Sequence, residues 1–164
     1  MEISDGTDTR TLAIPILIDV EMTPFEGFLA AYFPEEELYD PSKVSPLLDP
    51  DFDGLSTLVE FLLGTNPAEP NLSLEAMKIS ESIGEGGRTL SLDFKKRLDD
   101  PSIQGYFWGS DNLKDWTRMD SSNPLYEETG NQGENPFYED TTGTITLPPG
   151  TDPYFIRYQV LDVF

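Results

Sequence analysis

The chain has 164 residues, 31 acids against 10 bases, a formal net charge of −21, and neither Cys nor His. Such a field repels nucleic acid and anionic lipid, and the missing residue types close off Zn²⁺ and thiol chemistry and any nucleophile–histidine machinery. The length allows one domain or two small ones, and an aromatic share of 12% argues for a packed core rather than an acidic disordered chain.

Ser4-Asp5-Gly6-Thr7 reads as a turn. Thr11 to Val20 then alternates, with Leu12, Ile14, Ile16, Ile18 and Val20 on one face of a strand and Pro15 pointing to an edge position. The segment is too short to span a membrane and lacks a basic start. An exported protein of this sequence is then expected to be part of a longer precursor. Two readings of the strand stand side by side. It joins the sheet downstream, or it resembles the last strand of a preceding cadherin-like or immunoglobulin-like repeat.

Thr23 and Pro24 open a helix, with Thr23 as N-cap, Pro24 at the first helical position and Glu26 as the capping-box acid. Phe25, Phe28, Leu29 and Tyr32 recur at helical spacing, and Pro34 stops the run. Pro34 to Leu38 suggests a further helical turn. Ser42 to Leu48 reads as a connector that sends Leu47 and Leu48 inward. A second helix is expected over Ser56 to Leu63, packing through Leu55, Leu58, Val59 and Leu62. Gly64 serves as its C-cap, and Pro67 prevents resumption.

Between the helices lies Asp49-Pro50-Asp51-Phe52-Asp53-Gly54-Leu55-Ser56-Thr57-Leu58-Val59-Glu60, which fills the demanding positions of a twelve-residue EF-hand loop. Asp49, Asp51 and Asp53 supply carboxylates at positions one, three and five. Gly54 occupies the sharp turn, Leu55 offers its carbonyl, Thr57 acts directly or through water, and Glu60 is long enough to bind with both oxygens. Oxygen ligands in this number suit Ca²⁺ better than Mg²⁺. Asp-Gly turns also arise in ordinary loops, where Asp53 would simply cap the helix. Four carboxylates on one short loop, however, repel each other without a cation. Ser56 departs from the branched apolar residue that pairs two such loops, which favours a solitary structural site over a switching pair.

From Leu72 the period becomes two. Strands are expected through Met77, Ile79 and Ile83, over Arg88 to Arg97 with Leu90, Leu92 and Phe94 inward, and over Gln104 to Ser110. Gly84-Glu85-Gly86-Gly87 joins the first two. A short strand follows near Trp116 to Asp120. Ser121 to Pro136 reads as a long exposed loop, and Thr142 to Leu147 and Tyr154 to Val160 close the sheet.

The segment Asp49 to Pro67 resembles the calcium loops of dockerin and thrombospondin type 3 modules. With Ser110-Asp111-Asn112-Leu113-Lys114-Asp115-Trp116 and Phe155-Ile156-Arg157-Tyr158, it is similar to C-terminal modules of large secreted proteins of verrucomicrobial and planctomycete type. The likeness covers about Phe25 to Phe164. It implies attachment or spacer duty with no established chemistry.

The expected fold is α+β, mainly β: an antiparallel β-sandwich over 71–164, preceded by a helical calcium-loop unit over 23–70 and an N-terminal strand over 1–22. The expected function is a non-catalytic, calcium-stabilised extracellular or cell-surface module, without nucleic-acid binding or membrane insertion. The alternative is a carbohydrate-binding module in which Tyr106, Trp108 and Trp116, with Tyr126, Phe137 and Tyr138, stack on a sugar. Ordinary sandwich core is the plainer reading of those rings. A polysaccharide or another surface protein is the partner either reading allows.

Overall fold

The computed structural model describes residues 21–71 and 76–162, together with the backbone of 2–4 and 9–11. The expected strand from Thr11 to Val20 therefore lies outside the described residues except for Thr11, as do residues 5–7 of the expected first turn. Two short strands, β1 (Glu2–Ser4) and β2 (Thr9–Thr11), pair antiparallel with Ile3 opposite Arg10. No helix among the described residues is long and apolar enough to cross a membrane.

Helix α1 (Pro24–Tyr32) starts where its capping box closes. The Glu26 N–H donates to Thr23 Oγ1 at 3.2 Å, and the Thr23 N–H donates to Glu26 Oε2 at 2.8 Å. Two donors that a helix start leaves orphaned are thereby satisfied. Hydrogen-bonded turns follow through Pro34 to Leu48. Val44 is buried there and Leu48 half-buried, whereas Leu47 is 84% exposed, against the expectation that it points inward. Helix α2 (Thr57–Leu63) ends at Gly64, whose φ of +71° is the left-handed backbone that glycine adopts without penalty.

The rest is a sandwich of two antiparallel sheets. One has the order β3-β4-β8-β7, from β3 (Met77–Gly84), β4 (Gly87–Arg97), β7 (Tyr126–Gln132) and β8 (Tyr138–Leu147). The other has the order β6-β5-β9, from β5 (Ile103–Ser110), β6 (Thr117–Met119) and β9 (Phe155–Asp162). The fold is thus α+β and mainly β. The expected loop over Ser121 to Pro136 needs correction, because β7 runs inside it and pairs with β8 from Tyr126↔Ile145 to Gln132↔Glu139. It is an edge strand of which only Tyr126 is buried, so its other side chains carry no apolar alternation. Strand β3 forms as expected, yet Ile79 and Ile83 are largely exposed on it.

Period-two patterning builds the core. In β4, Leu90, Leu92 and Phe94 face inward, and in β8 Ile145 and Leu147 do, while Asp93 and Thr142 meet on the outer face at 2.7 Å. Phe107, Met119, Ile156 and Tyr158 close over them from the second sheet. Leu92, Ile145 and Leu147 are fully enclosed, each worth roughly 1.5–3 kcal/mol in removed apolar surface. The helices form a second cluster around Phe28, Leu58, Phe61 and Leu62. Ile103 of β5 and Val160 of β9 complete that cluster, so the helical unit packs onto the end of the sandwich.

Candidate metal centre

The loop from Asp49 to Glu60 is wound by its own carboxylates. The Asp53 N–H donates to Asp49 Oδ1 and Asp51 Oδ1, both at 3.2 Å, and the Gly54 N–H donates to Asp49 Oδ2 at 3.0 Å. Asp53 Oδ1 accepts from the Leu55 N–H at 2.8 Å. Gly54 holds φ +96°, and Phe52 holds φ +63° with a side chain 89% exposed. A non-glycine residue in that region costs on the order of 1–2 kcal/mol, so the winding is held by its surroundings.

One oxygen each from Asp49, Asp51 and Asp53 lies within 4.8 Å of the others. At an effective dielectric of about 20, two unit charges at that spacing repel by roughly 3 kcal/mol. Among the described residues no lysine or arginine pairs with the three, or with Glu60. The cluster can hold a metal ion.

Glu60 stands beside this triad, on the buried face of α2, with no exposed surface. Its Oε1 accepts from Thr65 Oγ1 at 3.2 Å and from Asn71 Nδ2 at 3.3 Å. Its Oε2 is buried without any partner, and so is Asp51 Oδ2. Burial pushes the Glu60 carboxyl up to about 7, and the charges of Asp51, Asp53 and Asp49 add to the rise. Burial also raises Asp51, and the Asp53 charge adds to it against the opposing Asp53 N–H bond. Two orphaned buried carboxylate oxygens, one in the triad and one on Glu60 beside it, are what a hard cation would satisfy.

The other expected ligands sit as follows. Leu55 is half-buried next to the triad. Thr57 is fully buried, and both its N–H and its hydroxyl donate to the Leu48 carbonyl, at 2.8 and 3.1 Å, so it serves as a latch for the loop entrance. The residue that the sequence reading passed over is Asn71. Its N–H donates to Asp53 Oδ2 at 3.0 Å, while its side chain reaches Glu60 and the Asn66 carbonyl.

The three aromatic candidates gather on the sheet of β5, β6 and β9. Tyr106, Trp108 and Trp116 are each half-buried. The Arg118 guanidinium lies 4.7 Å from the Tyr106 ring, and that of Arg157 lies 5.6 Å from Trp108 and 4.3 Å from Trp116. Ser110 Oγ accepts from the Asn112 and Leu113 N–H groups, and Asn112 Oδ1 from those of Lys114 and Asp115. The turn so formed brings Trp116 back onto Arg157, so the two β motifs of the sequence meet in one cation–π stack. The remaining rings divide: Tyr126 is buried, Tyr138 bonds to Phe61, and Phe137 is half exposed. A cleft of about 830 Å³ opens between the sheets beside Phe94, Phe107, Tyr126, Glu128 and Tyr158, and no residue of the Asp49–Glu60 loop lines it.

No family model matches the chain, and no curated protein or solved structure is significantly similar to it.

Proposed function

We propose that this chain is a non-catalytic, calcium-stabilised extracellular module, a spacer, attachment or interaction domain of a larger secreted or surface protein. The observation that carries the proposal is the buried, unpartnered Glu60 Oε2 beside the Asp49–Asp51–Asp53 triad. The ligands are Asp49, Asp51, Asp53 and Glu60, with the Leu55 carbonyl and water completing the shell. The ion stabilises the fold because it binds the wound loop and hardly the unfolded chain. The likeness to dockerin and thrombospondin type 3 loops supports calcium and an exported setting. The loop takes no part in the cleft between the sheets, in keeping with a structural ion.

The carbohydrate-stacking reading draws no support from the geometry, because guanidinium groups already lie over the Tyr106, Trp108 and Trp116 rings. Titration calorimetry with CaCl₂ and with MgCl₂ tests the proposal. Saturable binding of Ca²⁺ at one site, tighter than Mg²⁺, is the expected result. Absence of binding at millimolar Ca²⁺ would overturn it.

A further inference from the structure

Glu60 is expected from the sequence to bind with both oxygens, but its Oε1 is engaged within the protein, which leaves Oε2 as the oxygen without a partner. A carboxylate that binds through one oxygen is steadied when the other is fixed. Glu60 Oε1 is fixed twice, by the Thr65 hydroxyl and by the Asn71 side-chain amide. Both donors come from the segment after α2, which folds back over the loop. That segment is itself set: Pro67 is fully buried, the Ala68 N–H donates to Asn66 Oδ1 at 3.0 Å, and the Asn66 carbonyl accepts from Asn71 Nδ2 at 2.9 Å. The Asn71 backbone N–H holds Asp53, eighteen positions earlier, while its side chain holds Glu60, eleven positions earlier.

We infer that Asn71 is a positioning residue of the metal centre, which clamps Asp53 Oδ2 and Glu60 Oε1 so that Glu60 Oε2 stays turned to the ion. The inference rests on the calcium reading above. Outer groups that orient metal ligands typically change affinity by about 10–100-fold when removed.

Calorimetric titration of the full chain with CaCl₂, in wild type, Asn71→Ala and Thr65→Val, tests this, with melting curves of each in chelator. Asn71→Ala keeps the backbone bond to Asp53 and loses the side-chain amide that reaches both Glu60 and the Asn66 carbonyl. The expected result is about a 10–100-fold weaker affinity for Asn71→Ala, a weakening in the same direction for Thr65→Val, and chelated melting temperatures close to wild type. Wild-type binding with unchanged affinity in Asn71→Ala would overturn the inference alone. So would a loss of affinity matched by collapse of the chelated melting temperature in both variants, which marks Asn71 and Thr65 as mere scaffold. No binding by the wild type overturns the calcium reading and the inference together.

Discussion

The Tyr138 hydroxyl donates to the Phe61 carbonyl at 2.8 Å, across 77 positions of sequence. Phe61 follows Glu60 on α2, and Tyr138 opens β8, so one hydrogen bond ties the helix bearing Glu60, a proposed metal ligand, to the four-stranded sheet. Arg97 of β4 reinforces it. Its guanidinium lies 3.8 Å from the centre of the Phe61 ring, donates to the Tyr138 hydroxyl, and pairs with Asp99 at 2.6 Å.

Arg97 is thus the stronger of the two ties. Its side chain is 6% exposed, and its loss would leave Asp99 without its cation and Phe61 without its cap. Arg97→Ala is expected to destabilise by about 1.5–3 kcal/mol, and Tyr138→Phe by about 1 kcal/mol. Urea unfolding of the two variants at one calcium concentration checks the order. Equal costs would mean that Arg97 is not the hub.

The Glu60 carboxyl, pushed up to about 7 from an ordinary 4.5, gives the metal-free protein a specific pH dependence. The folded chain holds this proton more tightly than the unfolded chain does. Its stabilising contribution is complete below about pH 4.5 and disappears as pH rises through about 7, on the order of 3 kcal/mol in all. In chelator, the melting temperature should fall between about pH 5 and pH 7.5. With calcium present the ionised form is the bound one, so the increment due to calcium should grow over the same range. A calcium increment that shrinks with rising pH would contradict this.

Glu60→Gln separates charge from shape. The amide removes the titration and one ligand charge while keeping most of the packing. In chelator near pH 8 it should be more stable than wild type, by up to about 3 kcal/mol, and its melting curve should ignore calcium. Thermal melts of the two proteins with and without CaCl₂ decide this. A variant less stable in chelator would mean that the wild-type carboxylate is not penalised by burial.

The stack of Arg157 on Trp116 and Trp108 predicts a structural effect on the other sheet. Arg157→Ala should cost roughly 1 kcal/mol and shift tryptophan emission to longer wavelength as the rings meet water. Unchanged emission would argue against the stack.

What the sequence made legible follows from where the signal resides. The capping box at Thr23, the left-handed stop at Gly64 and the alternation through Leu90, Leu92 and Phe94 are local, and each was readable from a few residues. The aspartate triad was readable because the loop spaces its three carboxylates within five positions. Strand β7 was not, since an edge strand with one buried residue looks like a loop until its partner is known. Leu47 was misplaced because connector residues have no period, so apolar character alone does not say which one turns inward. Val44 does, and Leu47 does not. Asn71 escaped because its meaning lies in contacts eleven and eighteen positions away. Among the described acids Glu60 is the one buried whole, and the loop pattern that marked it as a ligand carries no signal of that burial.

The central claim is that a calcium ion in the Asp49–Glu60 loop stabilises the fold, and paired melting curves in chelator and in millimolar CaCl₂ test it most directly. At a hundredfold excess of Ca²⁺ over the dissociation constant, the ion adds about 2.7 kcal/mol, or roughly 5–10 °C for a chain of this size. Asp53→Ala should remove that difference. Superimposable wild-type curves would contradict the account.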